Sequence, residues 1–147
     1  MGSFELGTDG PGAIVVGVDG TPTSMRAAAY AAGLARRQHT RLIAVYARSA
    51  RTTLITLADH SGTAMNAVLE AQEDLERQLR SEIGAWGADT ELIVRQGDPL
   101  SVLSEVARET RADAVIVGSS TSVGHRIAGS LAIRLVRCGK WPVTVVP

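Results

Sequence analysis

Five short apolar segments alternate along this chain with four helical ones, and that rhythm restricts the fold more than any other feature. The segments 13–18 (AIVVGV), 42–47 (LIAVYA), 90–95 (TELIVR), 113–117 (DAVIV) and 142–146 (PVTVV) are bounded by turn residues, as strands are. Several are almost wholly apolar, the pattern of strands covered on both faces. Thr21-Pro22 reads as an N-cap followed by proline at the first helical position, opening an alanine-rich helix over 22–38. Over 62–84, Met65, Val68, Leu69, Leu75, Leu79 and Ile83 recur on one helical face, with Glu73/Arg77 and Glu76/Arg80 spaced as i,i+4 pairs. Asp98-Pro99 caps a third helix with Leu100, Leu103, Val106 and Ala107 inward, and a fourth runs from Gly129-Ser130 to Cys138-Gly139. Strands alternating with helices predict an α/β fold, a single open parallel sheet with helices on both faces.

At 147 residues the chain has one domain's length, and 45% hydrophobic content suffices for a core. Residues 1–12 are glycine-rich and aperiodic and read as a flexible tail, leaving 13–147 as the domain. The segment 48–61 is polar and irregular. No apolar run approaches the roughly 20 residues of a membrane span, and no secretory leader pattern opens the chain. A cytoplasmic protein without membrane insertion is expected.

Composition excludes several chemistries. Fifteen basic residues balance fifteen acidic ones, so no net field draws nucleic acid. The aromatics Phe4, Tyr30, Tyr46, Trp86 and Trp141 are too few for a base-stacking platform. Cys138 is the single cysteine and reads as a packed thiol. His39, His60 and His125 lack metal-ligand spacing. Lys140 is the single lysine and follows no phosphate-loop pattern. No G-x-S-x-G elbow or HExxH pair occurs, so no catalytic residues are assigned and no enzyme is expected. A response-regulator reading fails for want of an acidic cluster and a lysine after the fifth strand.

In an open α/β sheet, ligands bind beyond the carboxyl ends of the strands, where strand order reverses. Those ends carry Gly17-Val18-Asp19-Gly20, Ala47-Arg48-Ser49 and Gly118-Ser119-Ser120-Thr121. The last continues through Gly124-His125-Arg126 to Gly129-Ser130 at a helix start, where free N–H groups and the positive dipole end suit a phosphate. The same stretch also reads as a long turn closed by a capping serine. Asp19 reads either as a ligand contact or as the cap of the turn before Thr21-Pro22.

These segments resemble the universal stress protein family. VVGVDGT is similar to the family's first strand, GDPLSVLSEVARETRADAVIVGS to its run from third to fourth strand, and GS followed by PVTVVP to its close. The resemblance implies a Rossmann-like sheet of order 3-2-1-4-5 and a homodimer paired through strand 143–146. It further implies ATP or a related adenine nucleotide, with Mg²⁺ as a companion, and a stress-response role through ligand-dependent contact with an unidentified protein partner. In the family's Gly-x2-Gly-x9-Gly-Ser/Thr motif, Gly118 matches the first glycine, Gly129 the last and Ser130 the hydroxyl residue. Thr121 stands at the middle glycine, and the loop is two residues shorter. By the same matching, Asp19 and Ala47 fall at the adenine and ribose, and Ser119 and Leu131 near the phosphates; Gly17 and Val18 lead into Asp19 at the strand end, and Arg126 reads either as a charge-assisted phosphate contact or as a solvated surface residue. The shortened loop leaves two readings: a nucleotide-binding module, or a dimeric interaction module in which that site is closed.

Overall fold

A computed structural model describes residues 12–48, 62–86, 89–120 and 130–147. The expected tail, the segment 49–61 and the loop 121–129 lie outside the described residues. The strands are β1 (Ala13–Gly17), β2 (Arg41–Arg48), β3 (Thr90–Gln96), β4 (Ala112–Gly118) and β5 (Val143–Val146). The helices are α1 (Pro22–Gln38), α2 (Thr63–Gly84), α3 (Pro99–Glu109) and α4 (Ser130–Cys138). All neighbouring strands are parallel, in the order β3-β2-β1-β4-β5. Among the described residues no helix is long and apolar enough to cross a membrane.

Alternation along the strands divides the core. Ile14, Val16, Leu42, Ala44, Tyr46 and Ile116 face α1 and α2. Val15, Ile43, Val45, Val115 and Val117 face α3 and α4. The two crossovers leading from β1 to β3 cover the first face, and the two leading on to β5 cover the second. The reversal therefore falls between β1 and β4, the central neighbours.

Helix α1 packs on the sheet through an inward stripe of Ala27, Ala28, Ala31, Ala32 and Ala35, all buried. Thr21 caps it by accepting from the Ser24 N–H at 3.3 Å, and His39 in left-handed geometry ends it. Helix α3 starts as predicted, with the Asp98 carboxylate accepting from the Ser101 N–H at 3.1 Å. That bond, seconded by Arg134, holds the Asp98 carboxyl below its usual range.

Three expectations need correction. Leu69 is 42% exposed, because α2 buries its C-terminal half, at Leu79 and Ile83, more deeply than its start. Arg77 bonds Asp74 at 2.9 Å, the i,i+3 partner, and not Glu73. Cys138 is exposed, since α4 buries Ala132 and Leu135 while its last turn runs past the sheet into the Gly139 turn.

At the end of β2, the Glu76 carboxylate of α2 receives Arg80 at 2.8 Å and also Arg48, with about a quarter of the Glu76 side chain accessible. The Arg80 hydrogen bond, aided by Arg48 and opposed by desolvation, holds the Glu76 carboxyl below its ordinary range. A folded pKa below the unfolded value of about 4.3 gives stabilisation that is present above that value and lost as pH falls through the lower one. Glu76→Gln should therefore lose less of its melting temperature than the parent chain between neutral pH and pH about 3. Identical pH profiles in scanning calorimetry would show that this network contributes nothing.

Candidate functional site

A cleft of about 340 Å³ opens at the carboxyl end of the sheet, where β1 and β4 diverge. Gly17, Val18 and Asp19 from β1 and its exit form the floor beside Val45 and Ala47 from β2. Val117, Gly118, Ser119 and Ser120 line the β4 side, and Ser130, Leu131 and Ala132 bring the start of α4 into the same wall. Eight of the ten residues singled out from the sequence thus meet in one cleft: Gly17, Val18, Asp19, Ala47, Gly118, Ser119, Ser130 and Leu131. Arg126 and Gly129, like Thr121 and Gly124, lie outside the described residues.

Asp19 is tied into a turn. Its Oδ1 accepts the Thr21 N–H at 3.0 Å and the Thr21 hydroxyl at 2.6 Å, and its own N–H donates to Ser24 Oγ at 3.2 Å. Ser24 Oγ in turn donates to the Thr21 carbonyl at 3.0 Å. The capping role is therefore present, and a ligand role is left to Oδ2, which has no hydrogen bond among the described residues. Beneath this rim, burial pushes the Tyr46 phenol up, and Arg48 partly offsets that shift.

Gly118 has a role the phosphate reading does not supply. A Cβ there would lie 2.6–2.7 Å from the backbone of Thr23 and Ser24, so its glycine admits the first turn of α1. Thr23, buried in that turn, donates its hydroxyl to the Ser119 carbonyl at 2.8 Å. The Ser119 N–H goes to the Val146 carbonyl at 2.7 Å. Ser119 is thus fixed from both sides by its main chain, while its hydroxyl and that of Ser130 make no hydrogen bond among the described residues.

The sequence reading missed Thr21, Thr23, Ser24, Pro99 and Leu103, which also line the cleft. Polar residues on the inward face of an otherwise alanine-lined helix were the available signal for Thr23 and Ser24. Leu103 offered none, because a cleft wall and a core position look alike in a periodic pattern.

The polar groups that the described lining brings here are hydroxyls and the first residues of α4, a set suited to binding a polar ligand against an apolar floor. Asp19 is the one ionisable side chain among the described lining residues, and no histidine, cysteine or lysine accompanies it. No nucleophile paired with a base is assembled by them.

Residues 12–147 match the model of the universal stress protein family. A universal stress protein of Methanocaldococcus jannaschii is 26% identical over 137 residues, spanning 90% of this chain and 80% of that protein. Among solved structures, a universal stress protein in complex with cAMP is 28% identical with a TM-score of 0.61, over 92% of this chain and 96% of that one. A protein of the same family from Burkholderia pseudomallei shares the fold at 24% identity and a TM-score of 0.69, over 92% of this chain and 96% of that one.

Gly118→Ala should lower stability by about 1–3 kcal/mol, the usual cost of overpacking. Urea unfolding checks this, and an unchanged midpoint would mean that α1 retreats freely. Loss of ligand binding in any bulkier Gly118 variant would then report on α1 seating and not on phosphate contact.

Proposed function

We propose that this chain, which belongs to the universal stress protein family, is a regulatory module that holds an adenine nucleotide in the cleft between β1 and β4. The observation that carries the reading is the convergence of β1, β2, β4 and the start of α4 on one cleft at the sheet's reversal point. The 28% identical structure in complex with cAMP supports the adenine class. In this reading the base and ribose lie over Val18, Asp19 and Ala47, and the phosphoryl end meets Ser119, Ser130 and the first amides of α4. Binding without turnover suffices, and the bound state is passed on through contacts with a protein partner. Among the described residues no three acidic, histidine or cysteine side chains gather as a metal site. Mg²⁺ belongs to this reading as a companion brought in by the phosphates.

A cytoplasmic setting belongs to the same proposal, supported by the single exposed thiol, Cys138.

The module pairs with a second copy along β5. Pro142 and Val146 turn their carbonyls to β4, so the alternate main-chain groups of Val143 and Val145 face the free edge. The opposite edge, β3, carries Glu91, bonded to Arg41, and Arg95, bonded to Glu109. VTVV bears no charge, and an uncharged edge strand is the one open to pairing.

Two measurements test these readings. Calorimetric titration of nucleotide-stripped protein with AMP and ATP should give saturable binding near micromolar, roughly −8 kcal/mol. Ala47→Phe, which places a ring in the cleft, should abolish that heat while leaving the ligand-free melting temperature unchanged. No heat up to millimolar nucleotide would favour the alternative, a nucleotide-free interaction module. In sedimentation velocity the parent chain should run as a dimer at micromolar concentration and Thr144→Lys as a monomer. A monomeric parent chain would remove β5 pairing from the account.

A further inference from the structure

The two helices that cover one face of the sheet carry opposite charge. Helix α1 contains three arginines and no acidic residue, whereas α2 sets five carboxylates against two arginines. On α1, Arg26, Tyr30 and Arg37 follow at i, i+4 and i+11, a single stripe on the side away from the sheet-facing alanines. Tyr30 is 44% exposed there. The outer surface of α2 presents Glu70, Glu73 and the Asp74–Arg77 pair, with the exposed Leu69 beside them. Arg37, Glu70 and Glu73 have no ion pair among the described residues, and Arg36 donates only to the Trp86 carbonyl, at 3.2 Å.

We propose that this face is an interface between two copies of the chain, separate from the β5 edge and independent of the cleft, in which α1 of each copy lies against α2 of the other. Both helices are crossovers between parallel strands, so they run in the same direction. A two-fold axis parallel to them, between the facing layers, places α1 over α2 and α2 over α1. Each basic stripe then meets an acidic one, twice per dimer. An axis across the helices would set α1 on α1 and is opposed by like charge. An anionic membrane or a nucleic acid laid on the same face would meet α2 wherever it met α1. Seventeen residues make α1 about 25 Å long, and two helices side by side are about 20 Å wide. Each copy thus offers about 500 Å², less than the roughly 800 Å² per partner of a standard interface. The association is accordingly weak and governed by charge.

The test is sedimentation equilibrium of the full chain carrying Thr144→Lys, so that pairing along β5 is not read. Self-association should appear with a Kd of ~100 μM at about 0.05 M salt and weaken at least ~5-fold at about 0.5 M. Two double variants are then made in that chain, Arg26→Glu with Arg37→Glu and Glu70→Arg with Glu73→Arg, a cooperative melt verifying that each folds. Each alone should be monomeric, because both of its helices now carry the same sign. Mixed in equal amounts, they should associate again with an affinity within ~5-fold of the unreversed chain, since only contact between copies can pair their charges. A chain that stays monomeric at ~1 mM in low salt overturns the inference and leaves the face to a different partner. A mixture that stays monomeric, or association indifferent to salt, overturns it as well.

Discussion

The first turn of α1 presses against the end of β4 so closely that Gly118 has no room for a side chain. Thr23 closes the contact by donating to the Ser119 carbonyl, and Ser119 passes it on through its N–H to Val146. Three elements far apart in the chain are therefore locked together by two residues. The approach is possible because the inward stripe of α1 is alanine, which brings the helix axis near the sheet at little entropic cost. Larger residues on that stripe would lift α1, open the Thr23–Ser119 bond and move one wall of the cleft.

This contact divides the rim of the cleft into a satisfied side and an available one. On the α1 side the hydroxyls of Thr21, Thr23 and Ser24 are consumed by Asp19, Ser119 and one another. Their role is to hold the turn rigid, since a polar group already bonded gains little from a ligand. On the β4–α4 side the hydroxyls of Ser119 and Ser130 make no hydrogen bond among the described residues. In the proposed module this division orients the nucleotide, with its apolar part over Val18, Ala47 and Leu103 and its hydrogen-bonding part toward α4.

Most of the fold was legible because strands covered on both faces must be continuously apolar, and segments such as LIAVYA admit little else. Caps at Thr21 and Asp98 were legible for a local reason, the proline that follows each. The cleft's membership followed from the general position of ligands in such sheets and from the family resemblance. Roles within it were less accessible. Gly118 looked like a phosphate-loop glycine, and its steric duty toward α1 depends on a contact between residues 95 positions apart in sequence. Leu69 fitted the periodic face of α2 but lies where that helix leaves the core, and periodicity says nothing about how far along a helix its cover extends. Cys138 failed for the same reason at the end of α4.

The two edges of the sheet have been left in different chemical states, and the difference reaches the cleft. β3 carries charged residues whose ion pairs run to β2 and α3. β5 is short and uncharged, and its last carbonyl is held by the N–H of Ser119, a residue that lines the cleft. In the proposed module the ligand site and the pairing edge therefore share a residue's main chain, with no intervening element to absorb a displacement. A close-packed sheet transmits small shifts along such direct bonds better than through its apolar interior, which resists them. The same short link joins Thr23, in the first turn of α1, through the main chain of Ser119 to the last carbonyl of β5, so in the proposed module a displacement of α1 reaches the cleft and the edge together.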